Sequence, residues 1–160
     1  MRDAVAEREL QSYLDCGTLL SRRTRDWLAR RLCAGKLRAP DVDVVFRGMN
    51  VQPERFEAAT GLSLSSMTSP ATGSFVVVPN GEASTAAWTT DFAVAAGFAL
   101  CGNPGFVAVL LTARAADNSG KFVDAASLCA QFVIEERERE VIALGPVVAC
   151  RVEFEEGPSR

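Results

Sequence analysis

The chain changes character at Pro40, and this change constrains the fold more than any other feature of the sequence. Before Pro40, residues 4–15 and 22–34 carry apolar side chains at helical spacing and predict two helices. After it, three runs rich in β-branched residues predict strands: 42–46, 74–79 and 105–113. Helices that precede strands in this way predict an α+β fold.

Two more strands are predicted near the end of the chain, over 140–144 and 147–154. They flank Gly145 and Pro146, a pair typical of turns, so we expect the two strands to be neighbours in the sheet. A short helix with Pro53 in its first turn is predicted between the first two strands.

The composition suits one domain, since 48% of the 160 residues are hydrophobic. The first residues lack the apolar stretch of a secretory signal, and no window approaches 18 uninterrupted apolar residues. We therefore expect a protein that acts in a cytoplasm, its own or that of a host cell after delivery, and not at a membrane.

The five cysteines are scattered without CxxC spacing, and the chain has no histidine that could complete a zinc site. We expect no metal, and we expect the cysteines to be reduced residues of the core. They are Cys16, Cys33, Cys101, Cys129 and Cys150.

The charge is uneven along the chain. Residues 1–38 carry nine Lys/Arg and five Asp/Glu, whereas the remaining residues carry eight and fifteen. A basic face on the second helix could meet nucleic acid or an acidic partner, but such runs are usually solvated helix faces. We do not expect nucleic acid as the partner. The arginines concerned are Arg22, Arg23, Arg25, Arg30 and Arg31.

The first of three notable motifs is VFRGM, in which Arg47 follows an apolar run and precedes Gly48. An arginine at a strand end beside a glycine suits a diphosphate, because the planar guanidinium can engage two oxygens while the glycine lets the backbone approach closely. Taken alone, a surface ion pair at a strand terminus is the commoner explanation.

The second motif is AWTTDFAVAAGFA. Thr90 or Asp91 is predicted to cap a short helix whose Val94 and Phe98 pack inward. Thr89, at the end of a strand, presents a hydroxyl that can hold a carboxylate in place, while Thr90 shapes the entry to the helix.

The third motif is EERERE followed by VIAL. A charge run is ordinarily a solvated face, yet this one leads directly into a strand that should be buried. If the strand period of two extends back through the run, Glu138 and Glu140 point the same way, about 7 Å apart. Two such carboxylates can divide a reaction, one stabilising cationic character and one removing a proton.

With 42 residues from Arg47 to Thr89 and 51 from Thr89 to Glu140, the ordered motifs resemble the arginine, Ser-Thr-Ser and Glu-x-Glu elements of mono-ADP-ribosyltransferases. The resemblance covers about residues 41–154. It implies two packed, roughly perpendicular β-sheets that form a cleft for NAD, with N-terminal and flanking helices. It also implies one ADP-ribosyltransferase domain over 1–160, with N-terminal helices over 1–40, a catalytic β core over 41–154 and a tail over 155–160.

The resemblance assigns roles to residues. Glu140 would be the catalytic carboxylate that stabilises positive charge on the nicotinamide ribose, and Thr89 would orient it. Arg47 would hold NAD through its phosphates or its adenosine-side ribose, and Gly48 would offer backbone groups to the nicotinamide amide. The residues implied in NAD binding are Arg47, Gly48, Thr89, Thr90 and Phe98.

Glu138 stands where arginine-modifying relatives carry a second glutamate. This favours a protein arginine as the acceptor, because a guanidinium is hard to deprotonate without a nearby carboxylate. The absence of histidine argues against the diphtheria-toxin-like branch, which holds NAD with a histidine and a tyrosine; the single tyrosine here, Tyr13, lies in the first helix. The motif departs from the family pattern at Thr89 and Asp91, which replace its first and last serines.

Three alternatives remain open at this point. The chain could be an NAD glycohydrolase, in which water replaces the protein acceptor and Glu140 serves equally well. It could be a catalytically inactive binding module on the same fold that docks through the basic second helix, or an unrelated α+β domain. A free enzyme, a bacterial toxin or effector module and a phage protein are all compatible with the sequence, which leaves the target protein and the oligomeric state open.

Overall fold

The computed structural model describes residues 2–78, 87–100, 103–132 and 139–156. These residues form a mixed structure of helices and antiparallel strands, which confirms the predicted α+β class. The α-helices are α1 (Ala4–Cys16), α2 (Arg22–Cys33), α3 (Pro53–Thr60) and α4 (Phe92–Ala99). The strands are β1 (Val44–Val51), β2 (Ala71–Val77), β3 (Ala87–Thr89), β4 (Val107–Arg114), β5 (Phe122–Asp124), β6 (Glu140–Ala143) and β7 (Val147–Glu156). No helix in the described ranges is both long enough and apolar enough to cross a bilayer.

The described strands join one sheet in the order β2-β7-β4-β1-β3-β6-β5, and every neighbouring pair is antiparallel. The implied arrangement of two separate sheets is therefore not confirmed. The reason lies at the centre, where β1 pairs with β3 through Phe46 and Thr89 and so connects β2-β7-β4-β1 to β3-β6-β5. This junction is one residue pair long, whereas β1 pairs with β4 along its whole length.

Strands β6 and β7 follow each other across Gly145 and Pro146 but are not neighbours, so that prediction was wrong. Strand β6 pairs with β3 and β5, while β7 pairs with β2 and β4. Because both edges of β6 are occupied, the Gly-Pro segment carries the chain from one half of the sheet to the other.

Two strands are longer than predicted. Strand β1 runs to Val51, so Arg47 and Gly48 lie inside a central strand and not at its end. Strand β7 runs to Glu156, two residues into the predicted tail. Helices α1 and α2 end within one residue of their predicted bounds, because both carry clear apolar spacing and capping residues.

The two faces of β6 enter different parts of the core. Val141 and Ala143 pack with Trp88, whereas Ile142 joins a cluster built on α1 and α2. Successive side chains of a strand point to opposite faces, so both faces of β6 are covered. Helices α1 and α2 therefore lie over the β6 end of the sheet.

The prediction that the cysteines belong to the core was wrong for those in the described ranges. Cys16, Cys33 and Cys129 are exposed, Cys150 is partly buried, and all four are free thiols. Cys16 and Cys33 are the last residues of α1 and α2, and exposed residues follow each of them in the chain. Cys101 lies outside the described residues.

Helix α1 is tied to the start of α2 by Glu9. Its carboxylate accepts hydrogen bonds from the backbone N–H and hydroxyl of Ser21 and from the hydroxyl of Thr24, which is fully buried. Ser21 is the N-cap of α2. Burial alone would raise the pKa of Glu9, but these hydrogen bonds outweigh it and hold the pKa below its usual value.

Helix α4 lies unusually close to β1 at Gly48. A Cβ on Gly48 would lie 1.6 Å from the carbonyl oxygen of Ala95 and 2.6 Å from its carbonyl carbon. Backbone atoms cannot give way as the end of a flexible side chain can, so only glycine permits this approach. The small buried residues of α4, Ala95 and Ala99, form the face that packs on β1.

We expect Glu9→Gln to lower the free energy of unfolding at neutral pH by about 1 kcal/mol, since it weakens the hydrogen bonds that join α1 to α2. The pKa of Glu9 in the folded protein lies below its value of about 4.5 in the unfolded chain. The Glu9 carboxylate therefore adds its full stabilisation above pH 4.5, and this stabilisation disappears as the pH falls through the folded-state pKa. Urea unfolding at several pH values measures this. The exposed Glu57→Gln in α3 is the control, and a deficit for Glu9→Gln that grew towards acid pH would contradict the assignment.

We expect Gly48→Ala to destabilise the fold by about 3 kcal/mol or more, because the new methyl group meets the backbone of α4. Thermal and urea unfolding measure the loss. The control is Gly97→Ala, within α4 itself, where the new Cβ meets no other described atom within 4 Å apart from the neighbouring backbone of its own helix; this variant should have unchanged or slightly raised stability. Equal stability of the two variants would show that α4 does not approach β1 as closely as described.

Candidate active site

A cleft of about 340 Å³ opens where β1 and β3 separate beyond the pair of Phe46 and Thr89. This volume lies in the range typical of small-molecule sites. The diverging strands supply Arg47 and Gly48 from β1 and Ala87 and Trp88 from β3. The other lining residues are Tyr13, Leu14, Asp15, Gly17, Phe46, Thr89, Val94, Ala95, Phe98 and Glu140. Because β1 and β3 pair through a single residue pair, the sheet is open beside that pair, and this opening forms the cleft.

Glu140 and Thr89 lie directly opposite each other in this cleft. Glu140 is the first residue of β6, and Thr89, the last residue of β3, is its register partner. Opposed residues of antiparallel strands have Cβ atoms about 5 Å apart. The buried Thr89 hydroxyl accepts a hydrogen bond of 3.0 Å from the Asp91 backbone N–H, which uses a lone pair of the oxygen and not its proton. This bond holds the Thr89 side chain beside Glu140, in a position from which its hydroxyl can donate to the carboxylate.

Tyr13 makes a direct contact with Glu140. The Tyr13 hydroxyl donates a hydrogen bond of 2.6 Å to Oε1 of Glu140, across 127 positions of sequence. Its ring is buried, with 6% of the residue exposed. Sequence reasoning placed Tyr13 only as a residue of the first helix and missed it as part of the site. A buried tyrosine hydroxyl needs a polar partner, which was the available signal, but local sequence does not identify that partner.

Arg47 brings a half-buried positive charge to the same cleft, and the Nε atom of its guanidinium is fully buried. Burial lowers the pKa of Arg47, while Tyr13 and the negative charge of Glu140 partly offset that effect. A guanidinium keeps its proton through shifts of this kind. The cleft therefore contains a partly desolvated cation near a carboxylate, and interactions between such charges are stronger than they would be in water.

The entry to α4 is fixed by Asp91, one of the two capping residues that the sequence offered. Its carboxylate accepts from the backbone N–H groups of Ala93 and Val94. Thr90 is not one of the described residues that line the cleft; its N–H donates to the carbonyl oxygen of Arg139 at 3.2 Å. Thr90 thus joins the start of α4 to the segment just before β6.

Phe98 lies on the cleft wall, as predicted for a residue that contacts a ligand, and 46% of it is exposed. The alternative expectation, that Phe98 packs inward, was wrong. The inward face of α4 consists of Ala95 and Ala99, because a larger side chain would not fit where the helix meets Gly48. Phe92 is 54% exposed and contacts the ring of Phe46 edge-on, with centroids 5.5 Å apart.

The predicted alignment of Glu138 with Glu140 depended on an extended backbone through the charge run. Arg139 instead has a φ of +45°, in the left-handed region, and β6 begins only at Glu140. The period of two therefore stops at Arg139, and the geometric argument for Glu138 is lost. Glu138 itself lies outside the described residues.

The cleft brings together five of the seven predicted site residues: Arg47, Gly48, Thr89, Phe98 and Glu140. Within the described ranges, no group of three or more His, Cys, Asp and Glu side chains could hold a metal ion. The chain matches no family model, no curated protein and no solved structure.

Proposed function

We propose that the chain is a mono-ADP-ribosyltransferase that transfers ADP-ribose from NAD to an arginine side chain of a protein. The observation that carries this proposal is the Glu140 carboxylate, which lies opposite Thr89, accepts a hydrogen bond from Tyr13 and shares its cleft with the half-buried Arg47. Four segments that are distant in sequence thus contribute to one small cleft, which contains both a carboxylate and a cation.

The reaction breaks the bond between the nicotinamide nitrogen and C1′ of the ribose, and the electron pair leaves with the nicotinamide. Positive charge then develops on the ribose, as in glycoside hydrolysis. Glu140 is the residue we assign to stabilise that charge, because a fixed carboxylate in a partly desolvated cleft acts with little reorganisation. Tyr13 and Thr89 position it.

The remaining walls suit the rest of a dinucleotide. The guanidinium of Arg47 can bind phosphate oxygens in pairs. Phe98 and the apolar surface of α4 offer a face against which a flat heterocycle can stack. The two halves of the single sheet border this cleft, and we assign them the role that two packed sheets have in the resemblance.

Arginine is the acceptor that the sequence favours. A guanidinium nitrogen must form the new bond to C1′ and give up a proton as it does so, and a carboxylate near the acceptor can take that proton. Glu138 is the candidate, because it stands where the arginine-modifying enzymes that the motifs resemble carry a second glutamate.

We expect Glu140→Gln to reduce NAD-dependent labelling of proteins about a hundredfold or more. Glutamine keeps the size of the side chain and an oxygen that can accept from Tyr13, but it removes the negative charge. The measurement is the incubation of a cell lysate with labelled NAD and the chain, followed by identification of the modified residue.

The matched control is Glu155→Gln, an exposed carboxylate on β7 that does not line the cleft, and it should label at the wild-type rate. Equal labelling by Glu140→Gln and the wild type would refute the assignment of Glu140. If the wild type releases free ADP-ribose without labelling any protein, the chain is an NAD glycohydrolase.

We expect Tyr13→Phe to lower kcat for NAD cleavage about tenfold, since the loss of one hydrogen bond of about 1.4 kcal/mol lets the Glu140 carboxylate move. The phenyl ring keeps its packing, and KM should change little because the change does not remove a group assigned to binding. Steady-state kinetics of nicotinamide release separate the two parameters. An unchanged kcat together with a lowered melting temperature would reduce Tyr13 to a structural residue.

A further inference from the structure

A second concave surface lies at the other end of α1, and we call it the basic groove. It has a volume of about 630 Å³ and is bordered by residues of α1, of α2 and of the segment that follows α2. Five cations and one carboxylate among its described lining residues give a strong local excess of positive charge on a chain whose net charge is −3. These charged residues are Arg2, Asp3, Arg23, Arg30, Arg31 and Lys36.

Most of this charge is not neutralised within the part of the chain that the structure describes. Asp3 forms a two-bond pair with Arg23, at 3.0 and 3.1 Å. Arg2, Arg30 and Lys36 are exposed and have no carboxylate within ion-pair distance among the described residues. The groove therefore offers cations that a negatively charged ligand could engage.

Two buried hydrogen-bond donors at the groove also favour a ligand that carries acceptors. Nε1 of Trp27 and Nε of Arg31 are both buried, and neither finds a hydrogen-bond acceptor among the described residues. Trp27 is 3% exposed and lines the groove, with the guanidinium of Arg31 4.9 Å from its ring centroid. A buried donor without an acceptor is unfavourable, so an acceptor-rich ligand that reached these two groups would remove that cost.

We propose that the basic groove binds an acidic segment of a polypeptide. Arginine side chains bind carboxylates in paired geometry, and the neighbouring Ala4 and Val5 give an apolar edge that suits side chains between the acidic ones. A nucleic acid fits less well. Trp27 is too buried to stack on bases, and residues 39–160, with eight Lys/Arg against fifteen Asp/Glu, would repel a longer phosphate backbone.

The basic groove and the candidate active site lie at opposite ends of the same helix, α1. Val5 borders the groove and Tyr13 borders the cleft, eight residues apart on one helix, which corresponds to about 12 Å. An extended peptide covers that distance with about four residues. Resting on the proposed function, the inference extends to the acceptor: a protein whose modified arginine lies a few residues from an acidic segment.

The test is the binding of a fluorescein-labelled hexaglutamate peptide to the whole chain, measured by fluorescence anisotropy at low salt. We expect saturable binding that Arg30→Glu weakens about tenfold. Arg22→Glu is the matched control, since it changes the net charge equally on the same helix but lies outside the groove, and it should weaken binding less than about twofold.

Two results would overturn the proposal. If Arg22→Glu and Arg30→Glu weaken peptide binding equally, the peptide is attracted by net charge alone. If the chain binds an oligothymidylate of equal charge more tightly than the peptide, the groove is a nucleic-acid site. The proposed function fails separately. Peptide binding that persists in a chain without NAD chemistry would support the groove while refuting the transferase, whereas NAD cleavage without peptide binding would refute the groove alone.

Discussion

The close approach of α4 to β1 at Gly48 is the constraint on which the cleft depends. A side chain at this position would have to displace the carbonyl group of Ala95, and with it the helix that forms one wall. Asp91, the N-cap of α4, lies two residues after Thr89, so the end of β3 and the start of the helix are fixed to each other. One packing requirement therefore sets the distance between the apolar wall at Phe98 and the strand ends that carry Thr89 and Glu140.

The sequence predicted the elements whose signals are local. Helices α1 and α2 have apolar residues at helical spacing and side-chain caps, and the first five residues of β4 are all apolar. Asp91 was one of two capping candidates because its short carboxylate can reach the N–H groups of the first turn. The association of Arg47, Thr89 and Glu140 came from the order of three motifs and not from any single one, since each motif alone has a commoner structural explanation.

What the sequence did not predict depends on long-range pairing. Both edges of β6 are taken by strands far from β7, and nothing in the Gly-Pro pair distinguishes a hairpin from a crossing between the halves of the sheet. The left-handed backbone of Arg139 is not indicated by the charge run, because its side chain is not one that favours that conformation. The bond between Tyr13 and Glu140 joins residues 127 positions apart, so it becomes visible only once α1 lies over the β6 end of the sheet.

Helix α1 carries more of the proposed chemistry than its amphipathic pattern suggests. Its 13 residues span about 20 Å, with Val5 at the basic groove, Glu9 bound to the start of α2 and Tyr13 bonded to the Glu140 carboxylate. A short helix moves as a rigid unit more readily than it bends, so a ligand that shifted one end would also shift the other. Because Glu9 ties α1 to α2 between the two ends, the same bonds that stabilise the fold resist that movement and keep Tyr13 in place.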